Sequence, residues 1–486
     1  MSEQTIGLSR SVDARATLPW LVAAAVYLLL MALGGRLIAD PDIYSHIALG
    51  RLILDQHALP ATDPFSAAIN GASWVDYEWL SQVGYAVAYR FGGWIAVATL
   101  TAGAAALALG QLTRYLLAYW RPVPVIIAVL AALVLTAPHM VARPHMLALP
   151  LLVIWIAELI RAVDDDRPPP WRLLPVITLW ANLHGSFLFG LAMIGPIATE
   201  AIWRAPATER LRAAKSWILF GALAFAAACI NPYGPEMLVA NVRLLLLGQA
   251  LPVIMEWRPE DFSHLGAYEM IMLAAVGLAL LRGVRLPPFR ILMLLGVVHL
   301  SLSQSRNADL LGMLASLFVA RPLAEQFSTL AADMTGAVGF RPPKLVFAAG
   351  TLMVAVIGGT IGAFGHVAPA ANITPTAAVN TLVNKEHGPI LNSYEFGGYL
   401  DFVGIPPFID GRTDLYGEQF VQRYYRGVML EDVPDFLKLL DDYKIETALL
   451  IPTTPAVALL DRLPDWRRVY ADDIAVIYKR QQTAEK

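Results

Sequence analysis

Residues 18–56 read LPWLVAAAVYLLLMALGGRLIADPDIYSHIALGRLILDQ, and this stretch decides the fold. Its first part, 18–38, is apolar over about 20 residues, the length of helix that crosses a bilayer. After Asp40-Pro41-Asp42, apolar residues return at helical spacing, as in helices that lie along a membrane surface. Arg10 and Arg15 precede an apolar run that is longer than a secretory signal core, so we expect an uncleaved anchor. The stretch predicts a membrane-spanning helix followed by a surface helix.

The rest of residues 1–365 repeats this apolar pattern. The chain is 57% hydrophobic and 15% charged, whereas soluble domains have about 45–50% apolar and about 25% charged residues. We therefore predict an α-helical polytopic membrane bundle of about eleven helices, two of which are short runs that meet around Asn182–Gly185. The predicted spans are 18–38, 94–118, 122–137, 146–162, 172–182, 186–203, 214–230, 268–281, 290–304, 307–320 and 345–365.

Lysine and arginine mark one side of the predicted bundle. Alternate connections are basic, and by the positive-inside rule their side is cytoplasmic. The basic residues are Arg10, Arg15, Arg114, Arg121, Arg161, Arg167, Arg172, Arg204, Arg210, Arg212, Lys215, Arg282, Arg285, Arg290, Arg321, Arg341 and Lys344. We expect a multi-pass protein of a bacterial cytoplasmic (inner) membrane, with the N-terminus inside and the tail outside. The net charge of −3 gives no reason to expect a nucleic-acid partner.

Residues 366–486 form a tail of different character. Polar sequence surrounds short apolar runs that we predict to be strands, namely GPILNSYEF, PPFIDG, ETALLIP and DIAVIYKR. Helical patterns occur at VPDFLKLLDDY and PAVALLDRL, and a hairpin is expected to turn at Asp472–Asp473. The alternation predicts a small extracytoplasmic α/β domain. Gly397-Gly398 is expected to form a backbone turn.

The long first external loop, residues 39–93, contains the first candidates for chemistry. Asp40 and Asp42 could accept a proton or bind a divalent metal, and His46 follows on the same helical face. Alternatively, Asp-Pro-Asp only caps the following helix. Asp76 and Glu78 stand among aromatic residues, a combination found in sugar-binding clefts and also in interfacial aromatic belts.

Further polar clusters lie on the same predicted side. PHMVARPHM supplies His139, Arg143 and His145; WANLHG supplies His184; MEWRPEDF supplies Glu256 and Arg258; SQSRNAD supplies Arg306. External arginines run against the positive-inside trend, so we expect them to bind anions, and Arg143 could bind a phosphate; the alternative is snorkelling to the interface.

The tail motif PPFIDGRTDLYG adds Asp410 and Arg412 to the candidates. We predict that this segment faces the membrane domain above the first-loop acids and helps to close an acceptor cleft. The alternative is an ion pair that braces a tight turn. No phosphate loop or dinucleotide glycine motif is present, so we expect no nucleotide cofactor, while a divalent metal stays open.

These features resemble the GT-C superfamily of membrane glycosyltransferases, which includes oligosaccharyltransferase catalytic subunits, protein O-mannosyltransferases and lipid A aminoarabinose transferases. The motifs DPDIYSHIALGRLIL, TDPFS, EWL, NSYEFGGYLDF and PPFIDGRTDLYG resemble those of a bacterial family of GT-C-like proteins. The resemblance covers nearly the whole chain. Pro41 separates the two acids that are adjacent in O-mannosyltransferases, and the sequence lacks a WWDYG-type motif, so we do not expect asparagine glycosylation.

The resemblance implies transfer of a sugar from a polyprenyl-phosphate donor to a glycan, lipid or protein acceptor of the cell envelope. Asp40 or Asp42 would be the catalytic base, and Arg143, Arg258 or Arg306 would stabilise the leaving phosphate. A polymerase or ligase of surface polysaccharide would use the same donor chemistry. The alternative from another class is a non-catalytic transporter or cell-envelope assembly subunit, because breaks in short helices also mark transport sites.

Overall fold

Helices form most of the protein. The computed structural model describes residues 14–245, 257–332, 343–383 and 387–481. The helices before the tail are α1 Ala14–Ala32, α2 Gly34–Leu37, α3 Asp42–Gln56, α4 Trp79–Leu116, α5 Pro122–Thr136, α6 Pro144–Asp164, α7 Leu174–Leu183, α8 Phe187–Arg204, α9 Arg210–Ala228, α10 Glu236–Leu245, α11 Ala267–Arg282, α12 Pro288–Ser303, α13 Ala308–Gln326 and α14 Lys344–Phe364. Short 3₁₀ turns occur at Ala137–His139, Trp171–Leu173 and Ser305–Asn307.

A helix occupies every predicted span. Within the described ranges, 7 helices are long and apolar enough to cross a membrane, and α12 is a shorter apolar helix. The predicted multi-span helical architecture is therefore confirmed. The surface helix after Asp40-Pro41-Asp42 is α3, which begins at Asp42.

A kink divides α4 into two helical segments. The first-loop segment EWLSQVGYAVAYRFGG forms a helix of its own, and the span at 94–118 follows it after a break at Gly92 and Gly93. Gly93 has a φ of 57° and a ψ of −148°. Only glycine adopts that conformation without strain, so the pair separates the two segments of α4.

The ends of the bundle differ in chemistry. Helices α6, α8 and α13 begin beside the Asp40–Asp42 loop and finish at the opposite end, where the basic connections lie. There Arg290, at the start of α12, is fully buried. It donates from Nη2 to Asp164 at 2.8 Å and from Nε to Glu200 at 2.6 Å. This ion network fastens the ends of α6, α8 and α12 to one another, far from the first-loop acids.

The tail is a four-stranded sheet packed with helices. Its strands are β1 Ile390–Asn392, β2 Thr447–Leu450, β3 Trp466–Ala471 and β4 Val476–Arg480, in the order β1-β2-β4-β3. Its helices are α15 Thr376–Asn380, α16 Tyr394–Val403, α17 Thr413–Tyr416, α18 Glu418–Val428, α19 Val433–Asp442 and α20 Pro455–Leu460, with a 3₁₀ turn at Ala371–Ile373. β1 pairs parallel to β2, and β3 and β4 form the predicted hairpin.

Two predictions for the tail are wrong. PPFID is not a strand: residues 406–410 are an irregular segment whose Phe408 and Ile409 are buried. Its polar backbone is satisfied in part by Asn392, whose Oδ1 accepts from Phe408 N at 2.7 Å. Gly397-Gly398 is not a turn but lies inside α16, where the absence of side chains allows close packing. A Cβ on Gly398 would come within 2.4 Å of the Pro41 carbonyl oxygen.

Helix α16 fastens the tail to the first loop. Ser45 on α3 donates a buried hydrogen bond of 2.7 Å to Asp401. Next to it, Tyr44 packs edge-on against Tyr399 and Phe402, with ring centroids 5.1 and 5.2 Å apart. Residues from α16 therefore belong to the same hydrophobic core as the membrane helices. The tail is held rigidly above the segment that contains Asp40 and Asp42.

Candidate active site

Asp40 and Asp42 share one arginine partner. Arg143 begins α6 and reaches across to both acids, with Nε 2.7 Å from Asp40 Oδ2 and Nη2 2.9 Å from Asp42 Oδ2. The same Asp40 carboxylate accepts the backbone N–H of Asp42 at 2.9 Å, so it also caps the start of α3. Asp40 therefore caps α3, as the alternative interpretation of Asp-Pro-Asp proposed, and both acids also form a charged triad with Arg143.

This triad borders a cavity of about 640 Å³ and an adjoining one of about 340 Å³. Arg143, His145, His184 and Arg306 line both, so the two spaces meet at these side chains. Of the other predicted residues, Asp42, His46, Asp76, Glu78 and Arg412 line the larger space, and Asp40 and His139 line the smaller one. The structure thus gathers five separate sequence clusters around one site.

Two of the described candidates lie elsewhere, and a third lies outside the described residues. Arg258 lines neither cavity, and its carbonyl accepts the Ser305 N–H at 2.9 Å. Asp410 is buried behind the cavity wall rather than lining it. Glu256 lies outside the described residues.

The cavity histidines are in different surroundings. Burial, with Arg143 nearby, lowers the pKa of His46 to about 3, so its ring is neutral. His145 Nε2 lies 3.1 Å from the His139 carbonyl oxygen. His184 follows α7 at the predicted break, where Nδ1 accepts from Ser186 N at 3.1 Å and Nε2 lies 3.4 Å from Glu78 Oε1. The helix break therefore places His184 against a first-loop acid.

A second group of carboxyls lines the larger cavity. Burial raises the pKa of Asp76 to about 7 and that of Asp414 to about 6, and it raises the pKa of Glu78 well above its usual range. The charge of at least one neighbouring residue also shifts the pKa of each of these acids. Gln82, on the first turn of α4, donates to Asp76 Oδ1 at 2.9 Å.

Sequence reasoning missed Gln82 and Trp257 in this cavity. Gln82 belongs to the EWLSQ segment, and only the distance of four residues from Glu78 along a helix could have pointed to it. Trp257 lies under Arg306, whose guanidinium carbon is 4.4 Å from the ring centroid. No spacing rule connects residue 257 with 306, since they come from different connections.

The Asp410–Asp414 segment closes the cavity from the tail side. Arg412 donates from Nε and Nη2 to the two oxygens of Asp410, at 3.0 and 2.6 Å, and from Nη1 to Asp63 at 2.7 Å. This fork is the brace that the sequence left as an alternative. A Cβ on Gly411 would come within 2.0 Å of Asp42 Oδ1, so the segment also lies directly against the first-loop acids.

The described residues include no group of three or more His, Cys, Asp or Glu side chains arranged to bind a metal. Asp40 and Asp42 are the pair suggested by the sequence, and the guanidinium of Arg143 occupies the position between them. In this arrangement the two acids bind the guanidinium of Arg143, and we assign no step to a metal.

Sequence comparison finds no match among protein-family profiles and none among curated proteins. Solved structures do match. The archaeal oligosaccharyltransferase AglB of Archaeoglobus fulgidus, in complex with an inhibitory peptide and a dolichol-phosphate, superposes with a TM-score of 0.54 at 12% identity, over 97% of this chain and 75% of AglB. The same enzyme tethered to an acceptor peptide with an NVT sequon gives 0.52 at 11% identity, over 90% and 69%.

ArnT of Cupriavidus metallidurans, bound to undecaprenyl phosphate, superposes with a TM-score of 0.51 at 13% identity. This match covers 96% of our chain and 98% of ArnT, so both the membrane bundle and the tail have counterparts. At such identities the likeness concerns the fold. The expected architecture is confirmed: this protein shares the fold of AglB and ArnT, a polytopic helical bundle with a small C-terminal α/β domain.

Proposed function

We propose that the protein is a glycosyltransferase that moves a sugar from a polyprenyl-phosphate donor to a cell-envelope acceptor on the extracytoplasmic side of the membrane. The observation that carries the proposal is the single cavity in which Asp42, Arg143 and Arg306 converge. Support comes from the fold, because AglB and ArnT were solved with dolichol-phosphate and undecaprenyl phosphate.

Arg143 and Arg306 are the proposed phosphate-binding residues. Both line the junction of the two spaces, where one phosphate could contact both. Trp257 supports the Arg306 guanidinium by stacking, and the two acids orient that of Arg143. Planar guanidinium groups bind phosphate oxygens in pairs. Arg258, the third arginine expected from the sequence, has no part in this proposal because it lines neither space.

The reaction we propose is a direct displacement. An acceptor oxygen attacks the anomeric carbon, the bond from that carbon to the phosphate oxygen breaks, and the electron pair leaves with the phosphate. Negative charge grows on the phosphate, so cations that contact it stabilise the transition state more than the ground state. A carboxylate of the cavity takes the proton of the acceptor hydroxyl, while the proposed catalytic acids Asp40 and Asp42 hold Arg143 in place and stabilise positive charge that develops on the sugar.

Lipid-phosphate binding tests this proposal. The full chain in nanodiscs is titrated with undecaprenyl phosphate, and undecaprenol serves as the ligand without a phosphate. A hydrogen bond to a charged group is worth about 1.5–3 kcal/mol, so Arg306→Gln should weaken binding roughly 10- to 100-fold. Arg321→Gln is the matched control, because Arg321 pairs with Glu325 at the other end of the bundle. Equal affinity for both lipids, or no effect of Arg306→Gln, would contradict the proposed phosphate site.

A further inference from the structure

Several buried polar atoms in the larger cavity have no hydrogen-bond partner. Among the described residues, Asp76 Oδ2, Gln82 Oε1 and His46 Nδ1 are in this state, and all three side chains line that space. Asp76 and Gln82 are almost completely buried, at 1% and 2% exposure. Leaving buried polar atoms unpaired destabilises a protein. Their concentration here indicates a place that a polar ligand completes.

The unpaired atoms of Asp76 and Gln82 specify the chemistry of that ligand. An amide oxygen can only accept a hydrogen bond, and Asp76 already uses its other oxygen to accept from Gln82 at 2.9 Å and from the Glu78 backbone at 3.1 Å. When Asp76 is ionised, the two neighbouring acceptors require a group with several donors. Adjacent hydroxyls of a sugar ring meet this requirement, and Trp74 and Tyr77 line the same space.

Glu78 lies beside a histidine whose ring is fixed by hydrogen bonds. The Ser186 backbone N–H donates to His184 Nδ1 at 3.1 Å, so Nδ1 is the acceptor nitrogen of this ring. Nε2 then carries the proton and lies 3.4 Å from Glu78 Oε1. Trp180 donates to the Ser186 hydroxyl at 2.9 Å, which supports the turn. His184 is thus fixed next to one oxygen of the Glu78 carboxylate, and Glu78 lines the cavity.

The first-loop acids are less suited to accept a proton. Asp40 and Asp42 both lie within ion-pair distance of Arg143, so each already has an oxygen engaged by a cation. Among the described residues, the ion-pair contact of Glu78 is with His184 at 3.4 Å. Burial, together with the nearby charges of Asp76 and Asp414, raises the pKa of Glu78 well above the ordinary glutamate value, against the opposing charges of Arg306 and Arg143. A carboxylate with a raised pKa is the stronger base once it is ionised.

We propose, building on the glycosyltransferase function above, that the acceptor is a saccharide, that Asp76 and Gln82 bind its neighbouring hydroxyls, and that Glu78 is the general base. Glu78 takes the proton of the acceptor hydroxyl while that oxygen bonds to the anomeric carbon. The bond from this carbon to the phosphate oxygen breaks, and the phosphate keeps the electron pair. Glu78 passes the proton to water when the product leaves. His184 is a positioning residue.

The experiment is a transfer assay with the full chain in membranes whose polyprenyl-phosphate sugars carry a radiolabel. Glu78→Gln should lower kcat about 10²- to 10⁴-fold with unchanged affinity for undecaprenyl phosphate, which shows that the variant folds. Glu78→Asp should retain part of the rate. Glu325→Gln, at the opposite end of the bundle, is the matched control. Gln82→Leu should lower kcat/KM for the acceptor, chiefly through a higher KM.

The pH profile distinguishes a positioning role from a structural one. Removing the Nε2–H donor with His184→Phe should raise the pKa of Glu78 further, so the acid limb of the rate profile should move to higher pH. If the wild type transfers the sugar and the rate of Glu78→Gln is within threefold of the wild-type rate, Glu78 is not the general base. The proposed function would then remain intact. Label in a protease-sensitive product would overturn the saccharide acceptor. No transfer by the wild type would overturn the proposed function itself, and this inference with it.

Discussion

Replacing Arg412 with Gln should destabilise the protein more than any exposed ion-pair change in the tail. Arg412 is 8% exposed and holds two carboxylates, Asp410 at 0% and Asp63 at 2% exposure. The variant would leave both acids buried without a cation. Breaking a buried ion pair by removing one partner costs about 3–5 kcal/mol. Asp63 also accepts the N–H groups of Phe65 and Ser66, so the first loop should loosen together with the tail.

The assay is thermal unfolding of the detergent-solubilised protein at pH 7, compared with Arg423→Gln. Arg423 bonds to Asp435 and Asp442 on the surface of the same domain, and exposed pairs contribute at most about 1 kcal/mol. Adding Asp410→Asn and Asp63→Asn to Arg412→Gln removes the uncompensated charges, so this triple variant should recover part of the lost stability. If Arg412→Gln unfolds at the same temperature as Arg423→Gln, the fork is not the brace that we describe.

Four further outcomes are expected. Asp42→Asn should abolish sugar transfer without unfolding the protein; transfer at the wild-type rate, measured with labelled lipid-linked sugars, would remove this acid from the mechanism. Burial raises the pKa of Asp76 to about 7, so the stability that its protonated form contributes is lost as pH rises through that value. The melting temperature of Asp76→Asn relative to that of the wild type should therefore increase from pH 5 to pH 8. A constant difference between the two melting temperatures would contradict the raised pKa. Gly398→Ala should lower the free energy of unfolding by about 1–3 kcal/mol, because its Cβ would meet the Pro41 backbone oxygen at 2.4 Å. Gly404→Ala is the control for a glycine with positive φ and no clash. Equal cross-linking of the tail to the first loop in both variants would argue against tight docking. Reporter fusions after residue 341 and at the C-terminus should report opposite compartments, and equal signals would refute the proposed orientation.

The length of the apolar runs was sufficient to predict the helical bundle. Each span leaves its own local signal, because a helix in hydrocarbon must satisfy its backbone internally and present apolar side chains. The β3–β4 hairpin was also local, with its turn at Asp472–Asp473. The tail core was less readable: PPFID has the composition of a buried strand, but it is an irregular segment held by Asn392, a contact across 16 residues.

The site could be predicted as a set of polar clusters but not as an arrangement. Sequence gave reasons to select Asp42, Arg143 and Arg306, yet their roles depend on distances between elements far apart in the chain. The pairing of Arg143 with both acids has no local signature, since the partners are 101 residues apart in the case of Asp42. Gln82 was missed because an uncharged residue in an apolar helix resembles ordinary packing.

The contact of Gly411 with Asp42 determines when the cavity beside Asp42 can close during folding. Tyr394 and residues 411–414 line one side of the larger cavity, and they follow all of the candidate spans of the described ranges in the sequence. The cavity beside Asp42 can therefore close only after this part of the tail has packed onto α3. A chain cut short before residue 394 would lack the wall that encloses Asp42.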